Sequence, residues 1–220
     1  VSIGVAALIA LGDNSPDLED EYNALGSSAG YYDDWHEGRD PTGISTQNDE
    51  LAARFEGGSF ATVYLAPYNY HRVHMPCTAT ARVLRHVPGE LFSVNALTAQ
   101  SVPRLFCRNE RTIVVFEAGP HWLALIMVGA LNVGSIELVL PGARPARNRP
   151  HGNQPPHVSQ ALDGPTLARG AEFGRFNMGS TVIVTASRGC LNWHESAQAG
   201  LPVRMGAWLG RTMTVGSHRR

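Results

Sequence analysis

The sequence contains little cysteine and no long hydrophobic run. Its three cysteines, Cys77, Cys107 and Cys190, are an odd number at wide spacings among 220 residues. Such a set provides neither a disulfide framework nor the paired ligands of a zinc motif, and it favours a reducing compartment. The two most apolar runs, residues 3–11 and 122–131, are well short of the roughly 20 residues that a helix needs to cross a bilayer. The sequence therefore predicts no transmembrane helix.

The sequence also lacks an excess of charge of either sign. Lys and Arg total 18 against 19 for Asp and Glu, which leaves a formal net charge of −1. Nonspecific nucleic-acid binding depends on a basic field, so nucleic acid is not an expected partner. An initiator Met and the basic start of a secretory signal are absent as well. We expect that an N-terminal piece is missing.

Short segments rich in β-branched and aromatic residues recur between turn signals, which is typical of strands. They span residues 60–65, 79–84, 112–116, 122–128, 135–140 and 181–185. Helical periodicity is weaker and is confined to residues 50–55 and 97–106. At 43% hydrophobic residues, the chain has enough apolar surface for one core. We expect a single α+β domain over residues 1–220, with a β-rich, largely antiparallel sheet and a few helices.

Three segments have the composition of loops. Residues 27–47 are rich in Gly, Asp and Tyr, residues 141–163 are rich in Pro, Arg, His and Asn, and residues 185–191 read TASRGCL. Gly and Pro interrupt regular structure, and long connections of this kind are often functional or disordered. The pattern predicts loop or disorder in all three, with a loop over residues 141–165 dividing a first large block from a second.

The second block contains the stretch RFNMGSTVIV, in which Gly179 and Ser180 precede an apolar segment. From Thr181 onward the stretch predicts a strand, because Thr, Val and Ile crowd a helix and fit a pleated sheet. Gly-Ser occurs five times in the chain, starting at residues 26, 58, 134, 179 and 216. Since Gly and Ser are ordinary turn residues, the dipeptide alone favours a turn at each place.

A second feature is the stretch YNYHRVHMPC, which carries His71 and His74. Their spacing places them on one face of a helical turn but on opposite faces of a strand. Histidine titrates near neutral pH, so the two could act as base and acid beside a reactive group. Two other interpretations stay open. One is a pair of hydrogen-bonded structural histidines, and the other is a metal site with Cys77 and His86, although that set has no recognised zinc spacing.

Four motifs, in order along the chain, resemble those of bacterial phosphatidylserine decarboxylases. They read YLAPYNYHRVHMPC, VPGELFSVNALTAQSVPRLFCRNER, VGALNVGSIELV and GAEFGRFNMGSTVIV. The similarity covers residues 55–139 and 167–184, with a weaker continuation over residues 192–211. By this resemblance the sequence is identified as a member of that family, and the pair Gly179–Ser180 is singled out from the five Gly-Ser pairs.

The resemblance implies that Gly179–Ser180 is the self-cleavage site of a proenzyme. In the family, the Ser hydroxyl attacks the preceding Gly carbonyl to give an ester, and β-elimination followed by hydrolysis leaves a pyruvoyl group. The chain would become a large chain, residues 1–179, and a small chain, residues 180–220, whose covalent cofactor is made from Ser180. Glycine suits the attacked position because it hinders the carbonyl least and permits a strained backbone.

The same resemblance implies a lyase of phospholipid biosynthesis, a pyruvoyl-dependent decarboxylase. The pyruvoyl group forms a Schiff base with the amino group of phosphatidylserine and accepts the electron pair as carbon dioxide leaves, so that phosphatidylethanolamine is released. The implied setting is a homodimer, bound peripherally at the cytoplasmic side of a bacterial cell membrane, which takes phosphatidylserine from the membrane surface.

Further site residues follow from the resemblance. His74 matches the base that takes the Ser180 proton, and His71 matches the residue that assists decarboxylation or protonates the product. Asp17 is assigned as the carboxylate that orients His74. The family carries this carboxylate in an Asp-Gly pair that is absent here before His71, so Asp17 comes from extending the match without gaps, and Asp13 is the next candidate. The alternative is that Asp17 is a helix-start or turn carboxylate in an acidic surface run. We expect no metal.

Two other functions stay open on the sequence. One is a relative of the same fold that binds lipid or a partner without processing itself. The other is a metal hydrolase built from His and Cys. An intact mass separates them from the decarboxylase, because only the decarboxylase requires that the chain become two.

Overall fold

A computed structural model of the chain describes residues 53–94, 98, 101–102, 105–131, 135–140, 146–147, 158–177, 180–195, 197–198 and 200–212. The strands within them are β1 (Ser59–Leu65), β2 (Arg72–His74), β3 (Ala79–Val87), β4 (Arg111–Ala118), β5 (His121–Val128), β6 (Ser135–Leu138), β7 (Ala146–Arg147), β8 (Val158–Ala161), β9 (Thr166–Leu167), β10 (Glu172–Phe176), β11 (Ser180–Ala186), β12 (Leu191–Trp193) and β13 (Gly210–Thr212). Helix α1 spans Leu105–Arg108.

The main sheet is antiparallel and has the strand order β1-β11-β5-β4-β3-β8, with β9 also paired to β3. Strands β4 and β5 form a tight hairpin whose turn contains Gly119 at a φ of +63°, a conformation that glycine adopts without steric cost. Strand β11 lies between β1 and β5. A late part of the sequence is therefore built into the interior of a sheet whose other strands all precede it.

A second antiparallel sheet has the order β2-β10-β6-β7, and β12 pairs with β13 in a separate two-stranded unit. The second sheet packs against one face of the main sheet, since Phe173 of β10 and Ile136 of β6 belong to the same buried cluster as Phe116 of β4. The rings of Phe116 and Phe173 meet edge to face, with centroids 5.5 Å apart. The two sheets thus share one hydrophobic core.

The main sheet is buried on both faces. Along β5, Leu125 and Met127 belong to the cluster between the sheets, whereas Ala124 and Ile126 belong to a second cluster on the opposite face. Successive side chains of a strand point to opposite faces, so burial on both sides requires an almost continuous apolar run. This requirement accounts for the composition of residues 122–128.

The six strands predicted from the sequence are confirmed as β1, β3, β4, β5, β6 and β11, and so is a β-rich, antiparallel architecture with little helix. The seven strands that the sequence did not reveal have two to five residues each. Segments this short carry too few residues to show a period of two, and their backbone partners decide whether they become strands.

The expectation of an uninterrupted loop over residues 141–165 is wrong where the structure describes that segment. It contains β7 and β8, and β8 adds to the free side of β3. Composition did not reveal this strand because β3 supplies its hydrogen-bonding partners from far along the chain. The third predicted loop is confirmed in part, since residues 187–190 form the turn between β11 and β12.

Helix is scarce in the described part of the chain. Besides α1, only the isolated residues 53, 98 and 101 are helical there, so the helices predicted over residues 50–55 and 97–106 match the structure only in part. Residues 54–55 form a turn instead and residue 102 a bend. Residues 50–52, 97, 99–100 and 103–104 lie outside the described residues, as do residues 27–47 and Asp17. No helix among the described residues has both the length and the apolar character needed to cross a membrane.

Candidate active site

A cleft of about 1650 Å³ opens beside the main sheet. Its walls come from β1 and β11, from the segment around β2, and from the chain between β12 and β13. Apolar side chains such as Leu125 and Val182 form much of its surface. Leu65, His74 and Thr181 line it together, so the cleft brings three separate strands to one place.

Ser180 is the first residue of β11, and its backbone pairs with Leu65 at the end of β1. The next residue, Thr181, is fully buried, and its Oγ1 has no hydrogen-bond partner among the described residues. Met178 and Gly179 lie outside the described residues. The backbone of Ser180 is therefore located at the entrance of the strand, between two residues that line the cleft.

Both ring nitrogens of His74 are engaged. Its Nδ1 lies 2.8 Å from the carbonyl oxygen of Gly170, and its Nε2 lies 2.8 Å from the hydroxyl of Tyr70. A carbonyl only accepts, so Nδ1 carries the proton and donates it to Gly170, and in the neutral ring Nε2 accepts from Tyr70. The Tyr70 ring also stacks on the imidazole, with centroids 5.8 Å apart. The structure thus fixes both the orientation and the tautomer of His74.

The position of Gly170 follows from the pairing of β2 with β10. Across this pair His74 is opposite Glu172, and the turn before β10 is held to the end of β2 because Gly170 N donates to Met75 O at 2.9 Å. Gly170 has a φ of +81°, which a residue with a side chain rarely adopts. This backbone conformation presents the carbonyl oxygen of Gly170 to His74.

His71 lies in a different environment from His74. Its carbonyl accepts a hydrogen bond from Phe176 N at 3.0 Å, which places it beside the end of β10. Its Nε2 is buried and has no hydrogen-bond partner among the described residues, and the residue does not line the cleft. The structure therefore brings His74, and not His71, to the cleft that borders Ser180.

The metal site considered from the sequence does not assemble. Cys77 and His74 line the cleft, whereas His86 belongs to β3 and its Nε2 lies 3.3 Å from Oε1 of Glu110, the residue before β4. Among the described residues, no group of three or more His, Cys, Asp or Glu side chains is arranged to hold a metal ion.

Two buried thiols, Cys77 and Cys190, also line the cleft. Burial raises the pKa of Cys190 to about 11, and the neighbouring Cys77 adds to the effect. Burial raises the pKa of Cys77 as well, against an opposing influence of Arg169. Because the thiolate is the reactive form, neither cysteine is an activated nucleophile at neutral pH.

Cys190 is expected to resist alkylation by iodoacetamide at neutral pH. A rise in pKa from 9.0 to about 11 lowers its thiolate fraction by about a hundredfold, and the reaction should accelerate as the pH rises towards that pKa. Peptide mass mapping of the native protein at two pH values, with glutathione in the same solution as control, measures the rate. Labelling of Cys190 as fast as glutathione at neutral pH would contradict the expectation.

Sequence reasoning missed Tyr70 and Gly170 as partners of His74. Tyr70 is four residues before His74 in a motif that was already singled out, and its phenol is a hydrogen-bonding group, so a signal was available. Gly170 is 96 residues away and contributes only a backbone carbonyl, which no residue type reveals. Asp17, the orienting carboxylate assigned by resemblance, lies outside the described residues.

A comparison with protein families identifies one whose match covers most of the chain. The sequence model of the family described as phosphatidylserine decarboxylase matches residues 41–211. The chain therefore belongs to the phosphatidylserine decarboxylase family.

Three relatives illustrate the similarity, each named phosphatidylserine decarboxylase proenzyme. The protein of Bordetella avium is 49% identical over 165 residues, which cover 73% of this chain and 53% of that protein. The protein of Nitrosococcus oceani is 48% identical over 168 residues, 74% of this chain and 53% of that protein. The protein of Vibrio cholerae is 47% identical over 163 residues, 71% of this chain and 55% of that protein. The chain thus spans about half the length of the curated relatives that it matches.

Proposed function

We propose that this chain is the self-processing part of a phosphatidylserine decarboxylase, cut between Gly179 and Ser180. The observation that carries the proposal is the shared cleft. His74 lines it together with Leu65 and Thr181, and these two residues border Ser180 across the sheet and along the chain. A histidine with a fixed tautomer that lines the same cleft as the two neighbours of the serine supports the role of a general base.

In the proposed cleavage, Nε2 of His74 takes the proton of the Ser180 hydroxyl, and the oxygen adds to the carbonyl carbon of Gly179. The amide C–N bond then breaks, which leaves an ester between the two residues and a free amino group on residue 180. Loss of the Cα proton of residue 180 expels the Gly179 carboxylate, and the resulting dehydroalanine takes up water and releases ammonia. The products are residues 1–179, with an ordinary carboxylate, and residues 180–220, with a pyruvoyl N-terminus.

The residues around position 180 fit such a group. The buried Oγ1 of Thr181, which lacks a partner among the described residues, is available to hydrogen-bond a polar group there. When present, the pyruvoyl group supplies an electron-accepting carbonyl for the electron pair released as the substrate carboxylate leaves as carbon dioxide. The apolar walls of the cleft suit the acyl chains of a phospholipid. His71 is proposed to assist decarboxylation or protonate the product, and Asp17 to orient the base.

The proposal extends to the state of the whole protein. Residues 1–220 would form one domain whose large and small chains stay associated after the cut. The assembly would be a homodimer bound peripherally to the cytoplasmic side of a bacterial membrane, and its substrate would be phosphatidylserine in that membrane.

Intact mass measurement of the purified chain over time tests the proposal. We expect two chains that meet at Gly179 and Ser180, the smaller one lighter by one ammonia than residues 180–220 with a free serine, and release of labelled carbon dioxide from carboxyl-labelled phosphatidylserine. A single chain with unmodified Ser180 after long incubation would refute self-cleavage. That outcome would favour a relative that binds lipid or a partner without processing.

Tyr70→Phe is expected to accelerate self-cleavage. The Tyr70 hydroxyl occupies the Nε2 lone pair of His74, which the Ser180 hydroxyl needs for proton transfer, while the phenylalanine ring preserves the stacking. Loss of one competing hydrogen bond, with a net value of about 1 kcal/mol, corresponds to about a fivefold faster reaction. The rate of appearance of the small chain on denaturing gels measures the effect.

The matched control is Tyr68→Phe, because Tyr68 precedes strand β2, as Tyr70 does, and is 89% exposed. It should cleave at the rate of the unaltered chain. Thermal unfolding identifies general damage to the fold, which would also slow the reaction. A slower reaction in a Tyr70→Phe chain with an unchanged unfolding midpoint would contradict the competition and indicate that the phenol assists proton transfer.

A further inference from the structure

Exposed apolar side chains are concentrated around the cleft. The structure shows eight large hydrophobic residues exposed within the described part of the chain, and five of them line the cleft: Tyr64, Tyr70, Leu201, Met205 and Trp208. Three of the five lie in the connection between β12 and β13. A concentration of this kind at the mouth of a cleft is typical of a surface that meets an apolar partner.

The charges that line the same cleft have one sign. Arg72, Arg169, Arg204 and Arg211 line it, whereas no Asp or Glu is among the described residues that do so. Arg72 is paired with Glu172 at 2.6 Å, so its charge is partly compensated. The chain as a whole carries a net charge of −1, and an all-basic lining therefore reflects local placement rather than overall composition. Such a lining attracts anionic groups.

The connection between β12 and β13 has the character of a membrane-interface segment. Trp208 combines a large apolar ring with a polar N–H, the property that enriches tryptophan at the boundary between headgroups and acyl chains. Its ring packs on His194, with centroids 4.6 Å apart, and the pairing of β12 with β13 closes the base of the segment. The β12–β13 pairing and the contact of Trp208 with His194 therefore hold in place the connection that carries Met205 and Trp208.

The connection between β12 and β13, with Arg204, Met205 and Trp208, and the adjoining Arg211 of β13 form a rim of the cleft. We propose that this rim docks on an anionic phospholipid bilayer, with Met205 and Trp208 entering the interface and Arg204 and Arg211 contacting the lipid phosphates. This docking proposal rests on the proposed function, because it explains how a phospholipid substrate reaches the cleft from its bilayer. A second copy of the chain fits the rim less well, because a symmetric contact would bring two sets of arginines face to face. An anionic bilayer complements both the apolar and the basic side chains.

Flotation of the uncleaved Ser180→Ala chain with lipid vesicles tests the docking surface. The probes are vesicles of phosphatidylcholine alone and vesicles in which part of it is replaced by phosphatidylglycerol, an anionic lipid that is not the proposed substrate. We expect binding to the anionic vesicles that weakens at high salt. The double change Met205→Ser/Trp208→Ser should weaken it by about tenfold through lost apolar burial, and Arg204→Gln/Arg211→Gln should weaken it by about tenfold and reduce the salt dependence.

Leu131→Ser/Val139→Ser is the matched control. These side chains are 61% and 56% exposed, close to the 58% of Met205 and 53% of Trp208, and they do not line the cleft. Binding by this variant should equal that of the parent chain, with thermal unfolding recorded for all variants to identify loss of fold.

Four results would overturn the docking surface. They are no vesicle binding by the folded parent chain, equal loss in the control variant, unchanged binding by both rim variants, or a rim variant that dissociates a dimer in size-exclusion chromatography without altering vesicle binding. Since the assay uses uncleaved chains, docking can succeed where self-cleavage of the unaltered chain fails. The two proposals are therefore judged separately.

Discussion

A Ser180→Ala chain is expected to remain one polypeptide of 23.7 kDa, without decarboxylase activity, however long it is incubated. In the proposed reaction the Ser180 oxygen acts twice, first as the nucleophile towards Gly179 and then as part of the carboxylate that is expelled. A methyl group can do neither, so cleavage and formation of the pyruvoyl group are lost together. Denaturing electrophoresis and intact mass measure the first, and release of labelled carbon dioxide measures the second.

Ser135→Ala provides the comparison. Ser135 follows a glycine and opens strand β6, so it shares with Ser180 both the dipeptide and the position at a strand entrance. We expect this variant to be cut as completely as the unaltered chain. A Ser180→Ala chain that is still cut between residues 179 and 180, or a cut that depends on Ser135 instead, would disprove the assignment.

His74→Ala is expected to slow self-cleavage by about 10² to 10⁴, the usual contribution of a general base, so that the chain stays uncut on the time scale of a purification. The reason is that, among the described residues, His74 is the histidine that lines the cleft. Its Nδ1 donates to the carbonyl of Gly170, and its Nε2 can accept the Ser180 proton when its hydrogen bond to Tyr70 breaks. His71→Ala should be cut at least in part and then decarboxylate poorly, because its proposed role begins after the cut. The time course of the small chain and the turnover of the processed protein separate the two effects.

Equal loss of both steps in both histidine variants would argue for a shared structural role. The pairing of β2 with β10 makes this a real alternative, since both histidines border that ladder. Thermal unfolding of the two variants decides between the interpretations. A His74 variant with an unchanged unfolding midpoint and no cleavage supports the base, whereas a large drop in the midpoint of both variants supports the structural role.

The long strands could be predicted from the sequence because strands that are buried on both faces consist almost entirely of apolar residues. Strands β4 and β5 are covered on both faces, and each reads as a run of β-branched and large apolar residues. Strand β8 could not be predicted, because it lies in a segment rich in Pro, Arg and His and exists through its pairing with β3. Where a long-range partner supplies the stabilisation, local residue types carry little information.

The candidate site divides in the same way. Ser180 and His74 were predicted from motifs whose side chains have suitable functional groups. The structure places His74 in the lining of the cleft and the backbone of Ser180 beside Leu65 and Thr181, which also line it. The contact of His74 with the carbonyl of Gly170 could not be predicted from the sequence, because every residue has a carbonyl. Only the conformation of the turn before β10 directs this carbonyl at His74. The roles assigned to Asp17 and His71 stay predictions.

Strand β11 gives the proposed cut an unusual character. It starts at Ser180 and is hydrogen-bonded on one side to β1 and on the other to β5, both of which precede the cut. Removing it would open two ladders and expose Val182 and Ile183, which are buried on opposite faces of the sheet. Scission would therefore change the connectivity of the chain and leave its architecture intact. The new N-terminus at residue 180 would already have its place at the start of β11. Maturation would therefore be an intramolecular reaction whose rate does not depend on association of separate subunits.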